Sequence, residues 1–141
     1  MNQSLAMRKW ACAATAAAGL TGAGGIILAA AAAHGTPDPM LQTAANFLIL
    51  HAAATLAVCG LALAVPQRGI WFLGAAGLFL SGSLLFGGDL SARALSGTRM
   101  FPLAAPLGGT LLILGWAFVT LAALIVMRQS RDRAPDRDID E

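Results

Sequence analysis

Apolar residues fall into four long runs, Trp10 to Ala33, Thr43 to Val65, Gly69 to about Gly88 and Leu103 to Met127, with nearly every charge in the gaps between them. Each run is about 20 residues or longer, and a helix rising 1.5 Å per residue then spans a hydrocarbon layer roughly 30 Å thick. The pattern predicts an all-α integral membrane four-helix bundle with little mass outside the lipid. Residues 1–127 make one four-span domain. The remainder, 128–141, alternates Arg and Asp without apolar periodicity and is expected to be a disordered cytoplasmic tail.

The first run has a second reading. Arg8 and Lys9, an apolar stretch and then Ala31-Ala32-Ala33 resemble a signal peptide with its cleavage site. The stretch is 24 residues long, however, against a usual signal core of about 7–15. Its length favours a retained helix.

Charge then orients the spans. Arg8 and Lys9 precede the first run, Arg68 lies in the tight turn after the second, and Arg128, Arg131, Arg133 and Arg137 follow the fourth. The first connector, His34 to Gln42, has neither Lys nor Arg, and the third carries Arg93 and Arg99. Placing both termini inside puts seven positive residues in the cytoplasm and two outside, which the positive-inside rule favours. The expectation is an up-down-up-down bundle, multi-pass in the inner (plasma) membrane.

Composition changes this picture little. The 57% hydrophobic and 11% charged content fit a membrane protein and exclude a disordered chain. A net charge of +2 and a solvated Arg/Asp tail give no nucleic-acid partner. Cys12 and Cys59 both fall inside spans, without Cys-x-x-Cys spacing, and read as small apolar side chains.

The outer connectors carry local signals. Asp38 before Pro39 is an N-cap and first-turn pair. Gly87-Gly88 either ends the third helix, with Asp89 capping a short helix to Leu95 that Gly97 stops, or the third helix runs on to Leu95. Asp89 and Arg93 lie four apart, a spacing that allows an ion pair.

Helices in lipid associate through close packing at small residues. Gly74, Gly77, Ser81 and Gly88 form one stripe on the third helix, Gly108, Gly115 and Ala122 recur at sevens on the fourth, and Gly22 to Gly25 cluster in the first. Gly22, Gly25, Gly77, Gly108, Gly109 and Gly115 are the expected packing positions. Counted from the outer boundary, His51 lies roughly 12 Å deep, Ser81 and Ser83 about 8–10 Å, and Gly108 and Gly109 about 8–9 Å. With Asp89 and Arg93 in the outer connector, any functional surface opens outward.

The chemistry in that layer is sparse. His51 is the one imidazole within a run, and a neutral ring hydrogen-bonded across helices is the plain reading, with Thr55 one turn below and Ser81 or Ser83 on the neighbouring helix as the obvious partners. Ser81-Gly82-Ser83 lacks the spacing and partners of a nucleophile site. Haem ligation would need a second ligand at similar depth, and His34 lies about 10 Å shallower. No catalytic residue, metal site or cofactor is expected. Trp10 and Trp71 read as interfacial anchors and Trp116 as bundle core. The expected function is non-enzymatic: an accessory or assembly subunit acting through helix packing, in contact with lipid and with a membrane protein partner or further copies of itself. The alternative is an outward-facing small-molecule or lipid binder or transporter using His51, Ser81 and Ser83.

Several segments together resemble a known family. They are Gly22-Ala23-Gly24-Gly25 with His34-Gly35, Thr43-Ala44 with Phe47 and His51-Ala52, Leu78 to Leu84 around Ser81-Gly82-Ser83, Pro102 to Gly109, and Leu114-Gly115-Trp116. The chain resembles the small membrane proteins called domain of unknown function 423, which include transmembrane protein 256, from about Leu20 to Ala123. The resemblance implies four membrane helices and a retained first one, and no biochemical activity. One departure concerns the segment before His51, where Asn46 to Leu50 holds Phe47 as its single aromatic residue. This departure counts against any role that rests on an aromatic pocket beside His51.

Overall fold

The computed structural model describes residues 3–35 and 38–132, with side chains for 5–35 and 38–128. Four helices account for almost all of them: α1 (Gln3–His34), α2 (Pro39–Ala64), α3 (Gly69–Ser96) and α4 (Ala104–Asp132). Each is long and apolar enough to cross a membrane, and no strand occurs among the described residues.

Helix ends follow capping chemistry rather than the limits of the apolar runs. Asp38 Oδ1 accepts hydrogen bonds from the amides of Met40 at 2.7 Å and Leu41 at 3.3 Å, so α2 starts at Pro39, ahead of its apolar part. At the other end, Val65 N–H reaches Leu61 O at 3.1 Å and Arg68 N–H reaches Val65 O at 3.0 Å, which closes the turn into α3. The third helix passes through Gly87-Gly88 unbroken and stops where Gly97 takes the left-handed conformation, φ 70°, its N–H bonded to Arg93 O. Of the two readings for this segment, the continuous helix is the one adopted. Pro106 lies in the first turn of α4, where a missing N–H costs nothing. At its far end α4 continues five residues beyond Met127, to Asp132. The rest of the expected disordered tail, 133–141, lies outside the described residues.

Extensive packing joins α1 to α2, α2 to α3 and α3 to α4, with a smaller contact between α1 and α3. The matching residues run in opposite senses along each pair. Gly22 faces Ala52 and Gly25 faces Ile49; Gly69 faces Ala62 and Gly87 faces Leu48; Gly74, Gly82 and Gly115 face Phe118, Leu112 and Phe79. The core lies between α2, α3 and α4, around Val58, Cys59, Ala62, Phe72, Ala76, Phe79, Leu112 and Ala122. Its inner members bury against protein; the outward side chains of α1 and α4 are apolar and exposed, as helices facing lipid are (Ile26, Ile27, Ile113 and Leu121 among them).

Two expected packing positions are corrected. A Cβ on Gly77 would meet nothing within 4 Å, and one on Gly109 would meet only the Phe86 ring, at 3.9 Å. The seam between α3 and α4 uses Gly82 and Gly108 instead. A Cβ on Gly108 would lie 2.5 Å from Phe86 N and 2.8 Å from Gly82 O, so the two backbones nearly touch. The physical reason is rotational. The buried face of α3 runs through Phe72, Ala75, Ala76, Phe79, Gly82, Ser83 and Gly87, and the stripe of Gly77 and Ser81 lies beside that face rather than on it.

Candidate functional site

His51 projects from the middle of α2 and is 3% exposed. Its Nδ1 lies 2.9 Å from the carbonyl oxygen of Phe47, one turn earlier in the same helix. A carbonyl can only accept, so that bond assigns the proton to Nδ1. The ring stacks on Phe47 with centroids 5.7 Å apart, leans on Phe79 of α3 at 5.5 Å, and meets Trp116 of α4 edge-on at 6.4 Å. Phe79 and Trp116 touch each other at 5.0 Å, and Phe47 packs on Phe86 at 4.6 Å. His51 is thus enclosed by aromatic rings from three helices. Phe47 is the one ring supplied by its own helix; the others come from residues distant in sequence, and so the pocket absent from the segment before His51 is built by α3 and α4.

Gly115 makes this enclosure possible. A Cβ there would stand 2.6 Å from Phe79, so only glycine lets α4 come near enough to bring its neighbour Trp116 to the imidazole. Trp116 is 48% exposed, half on the outer surface of α4 and half over His51, where full burial was expected.

The hydroxyls anticipated around His51 do not reach it. Thr55 donates to the His51 backbone carbonyl at 2.7 Å, and Ser83 to the carbonyl of Phe79 at 2.6 Å. Ser81 is exposed and bonds Gly77 O at 2.8 Å. A carbonyl one turn back is always within reach in a helix, so each hydroxyl is satisfied locally and needs no partner across the bundle. Of the expected layer, Ser83 and His51 face inward, and Ser81 faces outward.

Asp89 and Arg93 form a separate cluster at the end of α3. Asp89 is fully buried, pairs through Oδ2 with Nη2 of Arg93, and accepts the amide of Met100 through Oδ1 at 3.0 Å. Arg93 is 24% exposed on its side chain, and its Nε is buried without a partner. The carboxylate therefore holds the connector between α3 and α4 against the end of α3. Nothing in the sequence spacing pointed to Met100; the ion pair was legible and the loop contact was not. Among the described residues, no three His, Cys, Asp or Glu side chains group so as to hold a metal ion.

Residues 28–109 match the family model described as "Protein of unknown function (DUF423)". The curated proteins similar to the chain include the UPF0382 inner membrane protein YgdD of Escherichia coli (strain K12), of Escherichia coli O157:H7 and of Shigella flexneri. Each is 34% identical over 90 residues, covering 63% of this chain and 66% of the relative. The match thus spans just under two thirds of those relatives' own length. No solved structure is significantly similar.

Proposed function

Because the chain belongs to the DUF423 family of proteins of unknown function, we propose that it is a non-enzymatic accessory or assembly subunit of the inner membrane, working through helix packing. One observation carries the reading. The outward side of α1 presents small residues, Cys12, Ala13, Ala16, Gly19 and Ala23, all exposed, and a Cβ on Gly19 would meet nothing within 4 Å. Lipid gains nothing from a smooth surface of this kind, whereas a second helix can approach it closely. The opposed register of neighbouring helices supports an up-down-up-down arrangement. The positive residues at both ends of the chain and Arg68 in the turn after α2, against Arg93 and Arg99 alone on the other side, support cytoplasmic termini.

The test is affinity purification from the native membrane in a mild detergent. A membrane protein recovered in stoichiometric amount, and released by Gly19→Leu in α1, is the expected result. A homogeneous species without partner or self-association overturns the reading.

A further inference from the structure

We propose that His51 is the acceptor of a binding site for a membrane-soluble phenolic or quinol headgroup that stacks on Trp116. The inference is independent of the accessory role. It begins with the tautomer. With Nδ1–H committed to Phe47 O, the neutral ring carries its lone pair on Nε2. No described residue donates to that nitrogen. Arg93 Nε is the one side-chain nitrogen or oxygen among the described residues that is both sealed and without a partner, so the unbonded Nε2 of His51 is not completely sealed, although the residue as a whole is 3% exposed.

An acceptor left open in hydrocarbon is costly, since no water is there to satisfy it. Every buried hydroxyl nearby is satisfied within its own helix, whereas His51 Nε2 is left uncommitted. What completes it must come from the lipid phase, donate one hydrogen bond and tolerate a flat aromatic neighbour. The half-exposed Trp116 ring gives such a molecule a surface to stack on, next to the imidazole edge. A phenolic hydroxyl on a planar ring meets all three demands. An oxidised quinone or an ether, which only accept, meets two.

The experiment uses the full chain in lipid nanodiscs carrying Trp10→Phe and Trp71→Phe, which leave Trp116 as the single indole. A decyl benzoquinol and its dimethyl ether are titrated against Trp116 fluorescence. The quinol should saturate and bind about tenfold more tightly than the ether, the difference expected of one hydrogen bond. His51→Leu should remove that preference while leaving ether binding in place. Equal affinity of the unsubstituted site for quinol and ether overturns the proposal even if the His51 variant fails to fold. Quenching that follows lipid partitioning without saturation overturns it as well.

Discussion

Gly108 and Gly109 are adjacent in α4 and chemically identical, yet the bundle treats them oppositely, and that contrast tests the packing directly. A Cβ on Gly108 would sit 2.5 Å from Phe86 N, 2.8 Å from Gly82 O and 2.9 Å from Phe86 Cα. These are backbone atoms, so no rotamer change relieves the contact. The closest falls roughly 1 Å short of the 3.5–4.0 Å of a comfortable non-bonded contact, and α3 and α4 must part by a comparable amount. Overpacking of this kind costs about 1–3 kcal/mol. A Cβ on Gly109 would meet the Phe86 ring at 3.9 Å, an ordinary contact. Replacing glycine within a helix gains about 0.5–1 kcal/mol at either position, so that term cancels in the comparison. Gly108→Ala should therefore be about 2 kcal/mol less stable than Gly109→Ala. Reversible unfolding in mixed micelles of rising SDS fraction, followed by far-UV circular dichroism, measures the difference. Equal stability of the two variants would show that α3 and α4 do not meet at Gly82 and Gly108.

Asp89→Ala leaves Arg93 and the Met100 amide without their acceptor, and should cost about 2 kcal/mol, less than a fully buried pair because Arg93 is 24% exposed. Asp89→Asn keeps an acceptor for Met100, so accelerated hydrogen exchange at that amide is expected in the alanine variant and not in the asparagine one; identical exchange in both refutes the assigned contact. Gly97→Ala places a side chain at φ 70° and should lower stability by about 1 kcal/mol, with Gly97→Asn costing less. The same unfolding assay decides it, and an unchanged midpoint for Gly97→Ala would contradict the left-handed cap.

The four spans were legible because hydropathy summed over 20 residues depends on sequence alone. Their ends were less so. Lipid contact stops where charge begins, but a helix stops where its last carbonyls and first amides find other partners, which here means Asp38 and Gly97. Orientation about the helix axis was harder still. When nearly every side of a helix is apolar, the stripe of Gly74, Gly77 and Ser81 looks as good as the true seam through Gly82. A better signal was present: Phe72, Phe79 and Phe86 recur at sevens along α3 and mark its inward side, the first two being buried and Phe86 partly so. Around His51 the sequence offered hydroxyls at plausible depth and one neighbouring ring. Depth along a helix says nothing about facing, so Ser81 was counted in and Trp116, the ring that matters, was counted as core.

The distribution of polar bonds explains why so little chemistry could be read and why the remainder is informative. Thr21, Thr55 and Ser83 are buried, and each returns its hydroxyl to the carbonyl four residues earlier. Such bonds hold no helix to its neighbour; they allow a polar side chain to lie in the interior at little cost. Cohesion between α1 and α2 and between α3 and α4 therefore rests mainly on shape, with glycine at the closest approaches. His51 differs because a ring with two nitrogens cannot be satisfied by one carbonyl. Its second nitrogen belongs to a ring that aromatic side chains from three separate helices surround. Helix packing alone gives no reason for an imidazole there; a hydrogen-bond donor arriving from the lipid does.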